Sequence, residues 1–195
     1  MARSKKRPAA EETVAEPVRK AQKTEEDAEF PRDALPVLAA KGIAAPTPIQ
    51  AQTFGVMLAA KGGNLLASAP TGSGKTLAFA LPLILDAVRL RTLLVESGRL
   101  RPRIVAIVVE PTRELAMQWL GKPFGVRSAI LGGSDNSEED NKETLSGAWI
   151  LVSTPARLAH KIGDLRLKSL RRLVFDESDR LFDNTEGDER SFRSQ

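Results

Sequence analysis

The stretch that most constrains this chain is NLLASAPTGSGKT, residues 64–76. The apolar run at residues 65–67 predicts a short buried strand. A loop with two glycines follows, and the apolar residues after Lys75 and Thr76 predict the start of a helix. A strand, a glycine-bearing loop and a helix in this order form the context in which such a loop holds phosphate groups. The general pattern begins with glycine, where this chain has Ala69.

Each residue of the loop has a distinct chemical task in this interpretation. Gly72 and Gly74 allow a tight turn that brings backbone N–H groups against phosphate oxygens, and the following helix presents the positive end of its dipole. Lys75 can reach the β- and γ-phosphates, and the Thr76 hydroxyl can bind Mg²⁺. The alternative is an ordinary glycine turn before a helix.

A second candidate motif is the carboxylate pair Asp176 and Glu177, which follows the apolar run 173–175. At the end of a strand beside the phosphate-binding loop, one carboxylate can hold Mg²⁺ and its neighbour can polarise the attacking water. We assign Asp176 to the metal and Glu177 to the water. The alternative is a pair of loop carboxylates without a ligand.

The remaining pattern predicts an α/β fold with a mainly parallel sheet flanked by helices. Apolar, β-branched runs predict four further strands, at residues 104–109, 128–131, 148–153 and 173–175. Helical stretches are predicted at residues 33–41, 48–60, 113–120, 137–145 and 155–162, and after the phosphate-binding loop up to a surface connector at 92–103. Strands that alternate with helices favour parallel pairing, with ligands at the carboxyl ends of the strands.

Composition narrows the possible chemistry. The chain has no cysteine and a single histidine, His160, which excludes disulfides, cysteine-ligated metals and Ser-His-Asp catalysis within these 195 residues. The longest apolar run, residues 77–85, contains a proline and is too short to cross a membrane. The net charge of +4 is compatible with a polyanionic partner.

Both ends of the chain are polar. Residues 1–29 lack an apolar period and are predicted to be a disordered charged tail. Their basic cluster, residues 3–7, is typical of a nuclear localisation signal or a nucleic-acid-binding arm, and a merely solvated tail remains the alternative. One domain is expected at residues 30–182, followed by an irregular tail at 183–195.

Six short strings, taken together, resemble the first RecA-like lobe of DEAD-box RNA helicases. They are PTPIQ (46–50), APTGSGKT (69–76), PTREL (111–115), Gly132-Gly133, STPAR (153–157) and VFDESD (174–179). The resemblance covers residues 30–182. The string LLASAPTGSGKTLAF, together with DESD where most members have DEAD, is most similar to the subgroup that acts in small-ribosomal-subunit assembly.

The resemblance implies roles for individual residues. Gln50 would hydrogen-bond the adenine and Phe30 would stack on it, although Gln50 could instead be a capping-box partner of Thr47. The implied nucleotide-binding set is Phe30, Gln50, Ala69, Pro70, Thr71, Gly72, Ser73, Gly74, Lys75 and Thr76. The implied catalytic residues are Lys75, Asp176 and Glu177, with Thr76 and Asp176 as metal ligands.

The implied RNA contacts are made to the backbone and do not depend on base sequence. They comprise Pro111, Thr112, Arg113, Glu114, Gly133, Thr154 and Arg157. Taken alone, PTREL would be interpreted as an N-cap threonine followed by a solvated Arg-Glu pair.

The sequence also departs from the family pattern. Ser178 replaces an alanine, Ala156 replaces a glycine, and the segment from Leu115 to Gly132 is shorter than in relatives, which predicts a truncated covering helix. The SAT motif and the second lobe with its arginine finger are absent from these 195 residues, so we expect the chain alone to hydrolyse ATP slowly or not at all.

The predicted function is that of an ATP-dependent RNA helicase, of which this chain is the first lobe. Its cofactors would be ATP and Mg²⁺, and its partner RNA, in ribosome biogenesis. Ribosome-assembly proteins are possible further partners, with no role at a membrane. The expected location is the nucleus, and within it the nucleolus. A non-catalytic nucleotide- and RNA-binding module is the alternative.

Overall fold

The computed structural model describes residues 30–59, 63–110, 121–131 and 145–182. Four strands form one parallel sheet: β1 (Ala106–Val109), β2 (Ser128–Leu131), β3 (Ile150–Ser153) and β4 (Arg172–Phe175). Their order across the sheet is β2-β3-β1-β4. All four predicted strands at these positions are therefore confirmed, and so is the α/β class.

The helices of the described residues are α1 (Leu35–Ala39), α2 (Pro48–Met57), α3 (Lys75–Glu96), α4 (Pro155–Lys161) and α5 (Ser178–Leu181). Short 3₁₀ turns occur at Arg32–Ala34, Lys122–Phe124 and Ile162–Asp164. None of the helices in these ranges has the length and apolar character that crossing a membrane requires.

The sheet is buried because each face carries its own apolar cluster. Residues 106 and 108 of β1 pack with the apolar side of α3, which includes Leu83 and Ile84. Ile107 and Val109 point to the opposite face, where Leu158 of α4 and Leu181 of α5 cover them. The continuously apolar strands are thus buried on two faces, as expected for central parallel strands.

Two predictions about local structure are wrong. Residues 65–67 do not form a buried strand: they pair with no strand of the described residues, and the side chains of Leu65 and Leu66 are 41% and 83% exposed. An apolar run without a neighbouring strand has no ladder to join. The connector predicted at 92–103 begins later, because α3 continues to Glu96.

The edge strand β4 also differs from expectation. Its sequence suggests burial on both faces, yet Leu173 and Phe175 are 49% and 39% exposed. Only β1 pairs with β4 among the described strands, so one side of β4 is open. The sequence suggested that the strand before Asp176 lies beside a strand at residues 65–67. In the structure β4 precedes Asp176, but residues 65–67 form no strand beside it.

Several predictions lie outside the described residues. These are the tail 1–29, the helix 113–120, all but the last residue of the helix 137–145, and the tail 183–195.

A partly buried ion pair fastens β4 to the helical layer. Nε of Arg172 lies 3.3 Å from Oδ2 of Asp86 in α3, and the two side chains are only 20% and 16% exposed. Nη2 of Arg172 donates a 2.7 Å hydrogen bond to the carbonyl of Met57, the last residue of α2. One guanidinium group thus connects β4, α2 and α3.

We predict that Arg172→Met destabilises the fold by about 1–3 kcal/mol, because it leaves Asp86 and the Met57 carbonyl without this donor. Urea denaturation measures the change in the free energy of unfolding. Arg89→Met is the matched control, since Arg89 is 53% exposed and lies 3.9 Å from the same Asp86. Its loss should cost less than about 1 kcal/mol. Equal losses in the two variants would contradict the role given to Arg172.

Candidate nucleotide-binding site

The site lies at the carboxyl edge of the sheet. The register pairs Val109 of β1 with both Ser153 of β3 and Phe175 of β4, so these three strands end together. The ladder continues one step beyond the strands, because the Asp176 N–H donates to the Val109 carbonyl at 3.0 Å. The residues that follow β3 and β4 are therefore held at one edge, as parallel strands require.

The phosphate-binding loop contains two glycines whose backbone lies in the left-handed region of φ/ψ space. Gly72 has φ of 78°, and Gly74, the N-cap of α3, has φ of 90°. A Cβ on Gly74 would collide with Nε2 of Gln50, whereas one on Gly72 would meet no atom. Gly74 is thus required by backbone conformation and by the close approach of α2.

Lys75 is folded back onto its own loop. Its ammonium donates hydrogen bonds to the carbonyls of Ala69 and Pro70, the second at 3.2 Å. These are the first two residues of the predicted APTGSGKT loop. A phosphate group entering the loop would offer this ammonium stronger, charged acceptors.

Gln50 is buried, with 3% exposure, and both ends of its amide are engaged. Oε1 accepts the Thr47 N–H at 3.0 Å, which confirms the capping box that the sequence left as an alternative. Nε2 donates to the Gly74 carbonyl at 3.1 Å. Gln50 thus connects the start of α2 to the phosphate-binding loop, and its contact with adenine stays a prediction.

Phe30 lies in the core and not at the surface of the site. Its side chain is 4% exposed and its ring packs against Phe54 of α2, with centroids 5.8 Å apart. The predicted stacking on adenine would require a ring face that this packing covers. Stacking on adenine stays a prediction for Phe30, whose ring in this structure packs against α2.

Polar groups at the loop fit a phosphate ligand with Mg²⁺. The Ser73 hydroxyl is buried and has no hydrogen-bond partner among the described residues. The tight turn at Gly74 leaves no room for a side chain, and Thr76 is the second residue of α3. An unsatisfied hydroxyl, a lysine and a helix N-terminus form a donor set suited to phosphate oxygens.

Asp176 and Glu177 lie at the end of β4, and their two carboxylates have different hydrogen-bond partners. Oδ1 of Asp176 accepts the Glu177 N–H at 3.0 Å. Glu177 has φ of 47° and is the N-cap of α5. Its Oε2 lies 2.8 Å from Nη1 of Arg180, a pairing for which the i,i+3 spacing of the two residues is the sequence signal.

Burial raises the pKa of Asp176, and the neighbouring Glu177 charge adds to this effect. The hydrogen bond from the Glu177 N–H and the Lys75 ammonium oppose the rise. Because the Lys75 charge lowers the pKa of Asp176, the loop and this carboxylate interact electrostatically. A cation beside Asp176 would stabilise its ionised form.

Only part of the predicted RNA-binding set can be placed. Thr154 is the N-cap of α4 and Arg157 is an exposed residue of the same helix, so both follow β3 at the carboxyl edge. Pro111, Thr112, Arg113, Glu114 and Gly133 lie outside the described residues. His160 is exposed on α4.

Comparison with known proteins identifies the family. The DEAD/DEAH box helicase model matches residues 47–193. The chain belongs to this family. It is 38% identical over 151 residues to the ATP-dependent RNA helicase DDX54 of Mus musculus, and 40% identical over 154 residues to the ATP-dependent RNA helicase DBP10 of Yarrowia lipolytica. These alignments cover 73% and 75% of this chain but only 16% of each relative.

Solved structures of the helicase family support the same assignment. The yeast DEAD-box splicing factor Prp28 matches with a TM-score of 0.66 and 29% identity, over 91% of this chain and 42% of that one. Prp28 from Chaetomium thermophilum bound to ADP matches with a TM-score of 0.64 and 30% identity, over 84% of this chain and 40% of that one. This helicase chain therefore corresponds to part of the length of its relatives and has their RecA-like fold.

We predict that Gly74→Ala destabilises the fold more than Gly72→Ala. Both substitutions place alanine in the left-handed region, at about 1–2 kcal/mol each, but only the first displaces Gln50. Urea denaturation of both variants, alone and combined with Gln50→Ala, measures the difference. The excess cost at Gly74 should disappear in the Gln50→Ala background. An excess that persists there would contradict the contact.

We predict that Asp176→Asn stabilises the ligand-free protein at neutral pH. Because the pKa of Asp176 is raised in the folded chain, ionising this carboxyl costs more free energy there than in the unfolded chain. The folded state therefore loses stability as the pH rises from the pKa of the unfolded chain through the raised pKa of the folded chain. Asparagine keeps the Oδ1 acceptor without the charge. The gain should vanish in acid, where Asp176 is protonated. Urea denaturation across pH measures it, and a loss of stability at neutral pH would contradict the prediction.

Proposed function

We propose that this chain is the lobe of an ATP-dependent RNA helicase that binds Mg·ATP and contacts RNA. The observation that carries the proposal is the loop 69–76, in which Lys75, Gly74 and the buried Ser73 hydroxyl meet at the N-terminus of α3. The family match supports it, as do two ATP-dependent RNA helicases among the relatives. Since the chain spans 16% of those relatives, the activity of the whole protein is part of the proposal.

The proposed phosphate site uses groups that are already near one another. Lys75 would exchange the Ala69 and Pro70 carbonyls for β- and γ-phosphate oxygens, and the N–H groups at the start of α3 would bind the same phosphates. The bound ADP of a Prp28 structure is consistent with a nucleotide in such a lobe. If Gln50 contacts adenine, its hydrogen bond to the Gly74 carbonyl would connect that contact to the phosphate-binding loop.

Mg²⁺ would be held by the Thr76 hydroxyl and, directly or through water, by Asp176. A metal ion there would neutralise charge that develops on the transferred phosphoryl group. Asp176 is suited to this because burial makes its isolated charge unfavourable, which a cation would relieve. Glu177 would orient the attacking water only after its carboxylate leaves Arg180.

The RNA-binding part of the proposal rests on placement. Thr154 and Arg157 lie at the same edge as Asp176, one supplying a short polar side chain and the other an exposed cation. Such groups bind phosphates and ribose without reading base sequence. A role in ribosome biogenesis, assembly-protein partners and a nuclear or nucleolar location remain predictions from the sequence resemblance.

A non-catalytic nucleotide- and RNA-binding module is the second candidate. The 2.8 Å pairing of Glu177 with Arg180 favours it, because this carboxylate is already engaged by a cation. RNA-stimulated phosphate release separates the two functions. Release that depends on Glu177 supports the helicase lobe, and nucleotide binding without any release supports the module.

We predict that Lys75→Ala weakens Mg·ATP binding by at least about tenfold, the loss expected for one charge-assisted contact, while the fold is retained. Isothermal calorimetry measures the affinity and circular dichroism the fold. Lys122→Ala is the matched control, since Lys122 is exposed in the 3₁₀ turn before β2. Unchanged binding in Lys75→Ala, or equal losses in both variants, would count against the phosphate role.

A further inference from the structure

The edge of the sheet at which the strands begin lies opposite the candidate nucleotide-binding site. The backbone N–H of Arg171, just before β4, donates a 2.8 Å hydrogen bond to the carbonyl of Val105, just before β1. The N–H of Val105 donates in turn to the Trp149 carbonyl, and the N–H of Trp149 to the carbonyl of Arg127, both at 2.8 Å. The residues that lead into the four strands are therefore held side by side, and we call this the amino edge.

Two basic segments meet at the amino edge. Residues 99–103 have the sequence RLRPR and precede β1, and residues 165–171 have the sequence LRLKSLR and precede β4. Ile104, directly after the first segment, packs in one apolar cluster with the leucines of the second segment. Because these leucines pack against the core, the basic residues between them are exposed. The exposed cations of the two segments, which we call the basic edge, are Arg99, Arg101, Arg103, Arg166, Lys168 and Arg171.

The cations of the basic edge have no carboxylate partner within the part of the chain that the structure describes. No ion pair or side-chain hydrogen bond there engages any of them. The acidic residues that precede the two segments are Glu96 and Asp164, and Asp164 lies 3.8 Å from Lys161. Cations gathered at one surface repel one another, and a bound polyanion relieves this repulsion.

The basic edge lacks the aromatic surface that would read bases. The exposed aromatic side chains of the described residues are Phe175 and Phe182, and Phe175 ends β4 at the carboxyl edge. Trp149, at the amino edge, is only 3% exposed. Surfaces that bind single strands combine cations with rings on which bases stack, whereas arginine and lysine alone bind the phosphate backbone. This chemistry favours a double helix, whose phosphates are densely spaced and whose bases are already stacked.

We propose that the amino edge is a second nucleic-acid-binding surface, which binds the phosphate backbone of double-helical RNA without reading its base sequence. The choice of RNA over DNA rests on the proposed function, while the charge argument applies to any duplex backbone. The surface is separate from the RNA contacts proposed for Thr154 and Arg157, because those residues follow β3 at the opposite edge. Binding at the amino edge therefore does not require Mg·ATP.

The test uses the full 195-residue chain without nucleotide and a short, fluorescently labelled RNA duplex of mixed sequence. Fluorescence anisotropy measures the affinity at several salt concentrations. We expect saturable binding that weakens steeply with salt, because each phosphate contact contributes about 0.9 to the slope of log K against log salt concentration. A duplex of unrelated sequence should bind equally, and either of its single strands should bind more weakly.

Substitutions that each remove one positive charge locate the surface. Arg103→Gln changes the amino edge, Arg157→Gln changes the contact proposed at the carboxyl edge, and Arg32→Gln changes an exposed arginine in the 3₁₀ turn before α1. Arg103→Gln should lower the salt slope by about 1, and Arg103→Gln/Arg171→Gln by about 2. Arg32→Gln should leave the slope unchanged. Thermal denaturation checks that the variants fold, and calorimetry should show the same Mg·ATP affinity in the amino-edge variants as in the unchanged chain.

The outcomes separate this proposal from the proposed function. Weaker duplex binding in the Arg103 variants, whatever the effect of Arg157→Gln, supports the amino edge even if the chain binds no Mg·ATP. Unchanged binding in Arg103→Gln/Arg171→Gln would overturn the proposal. An equal loss in Arg32→Gln and Arg103→Gln would also overturn it, because binding would then reflect net charge alone. Tighter binding of a DNA duplex would contradict the choice of RNA, and tighter binding of labelled polyglutamate would indicate an acidic protein segment instead.

Discussion

The two-sided pairing of β1 is the constraint on which the rest of this structure depends. β1 joins β3 on one side and β4 on the other, in registers that bring all three strands to the same end. The ladder then continues to Asp176, whose N–H is bound by Val109. Without this alignment, the loop after β3 and the carboxylates after β4 would not share an edge.

Three polar side chains of the candidate site at that edge are held by hydrogen bonds within the chain. Lys75 is bound to loop carbonyls, Gln50 to Gly74, and Glu177 to Arg180. Each of these polar groups has a partner within the chain, which lowers the cost of burying or ordering it. Ser73 is the exception among these loop residues, because its buried hydroxyl has no hydrogen-bond partner among the described residues.

Sequence reasoning succeeded where local pattern and tertiary structure agree. The four parallel strands, the helix α3 that follows the glycine-bearing loop, and the capping box of Thr47 and Gln50 all follow from short-range chemistry. It failed at residues 65–67, because an apolar run becomes a strand only when a neighbour pairs with it. The exposed side of β4 was missed for the same reason.

Contacts between residues that are far apart in the chain also could not be predicted from the sequence. The Arg172 bridge to Asp86 spans 86 positions, and the bond from Gln50 to Gly74 spans 24. The burial of Phe30 against Phe54 likewise depends on how α2 packs. The family resemblance supplied roles for Gln50, Gly74 and Phe30, but it did not supply the packing that determines whether a side chain faces a ligand or the core.

The most direct test of the account is hydrogen exchange of the 195-residue chain with and without Mg·ATP. The account predicts slower exchange at residues 72–76, where backbone N–H groups would bind phosphate, and at the turn after Asp176. Protection confined to other parts of the chain, or none at saturating nucleotide, would contradict the claim that this loop and this carboxylate form one Mg·ATP site.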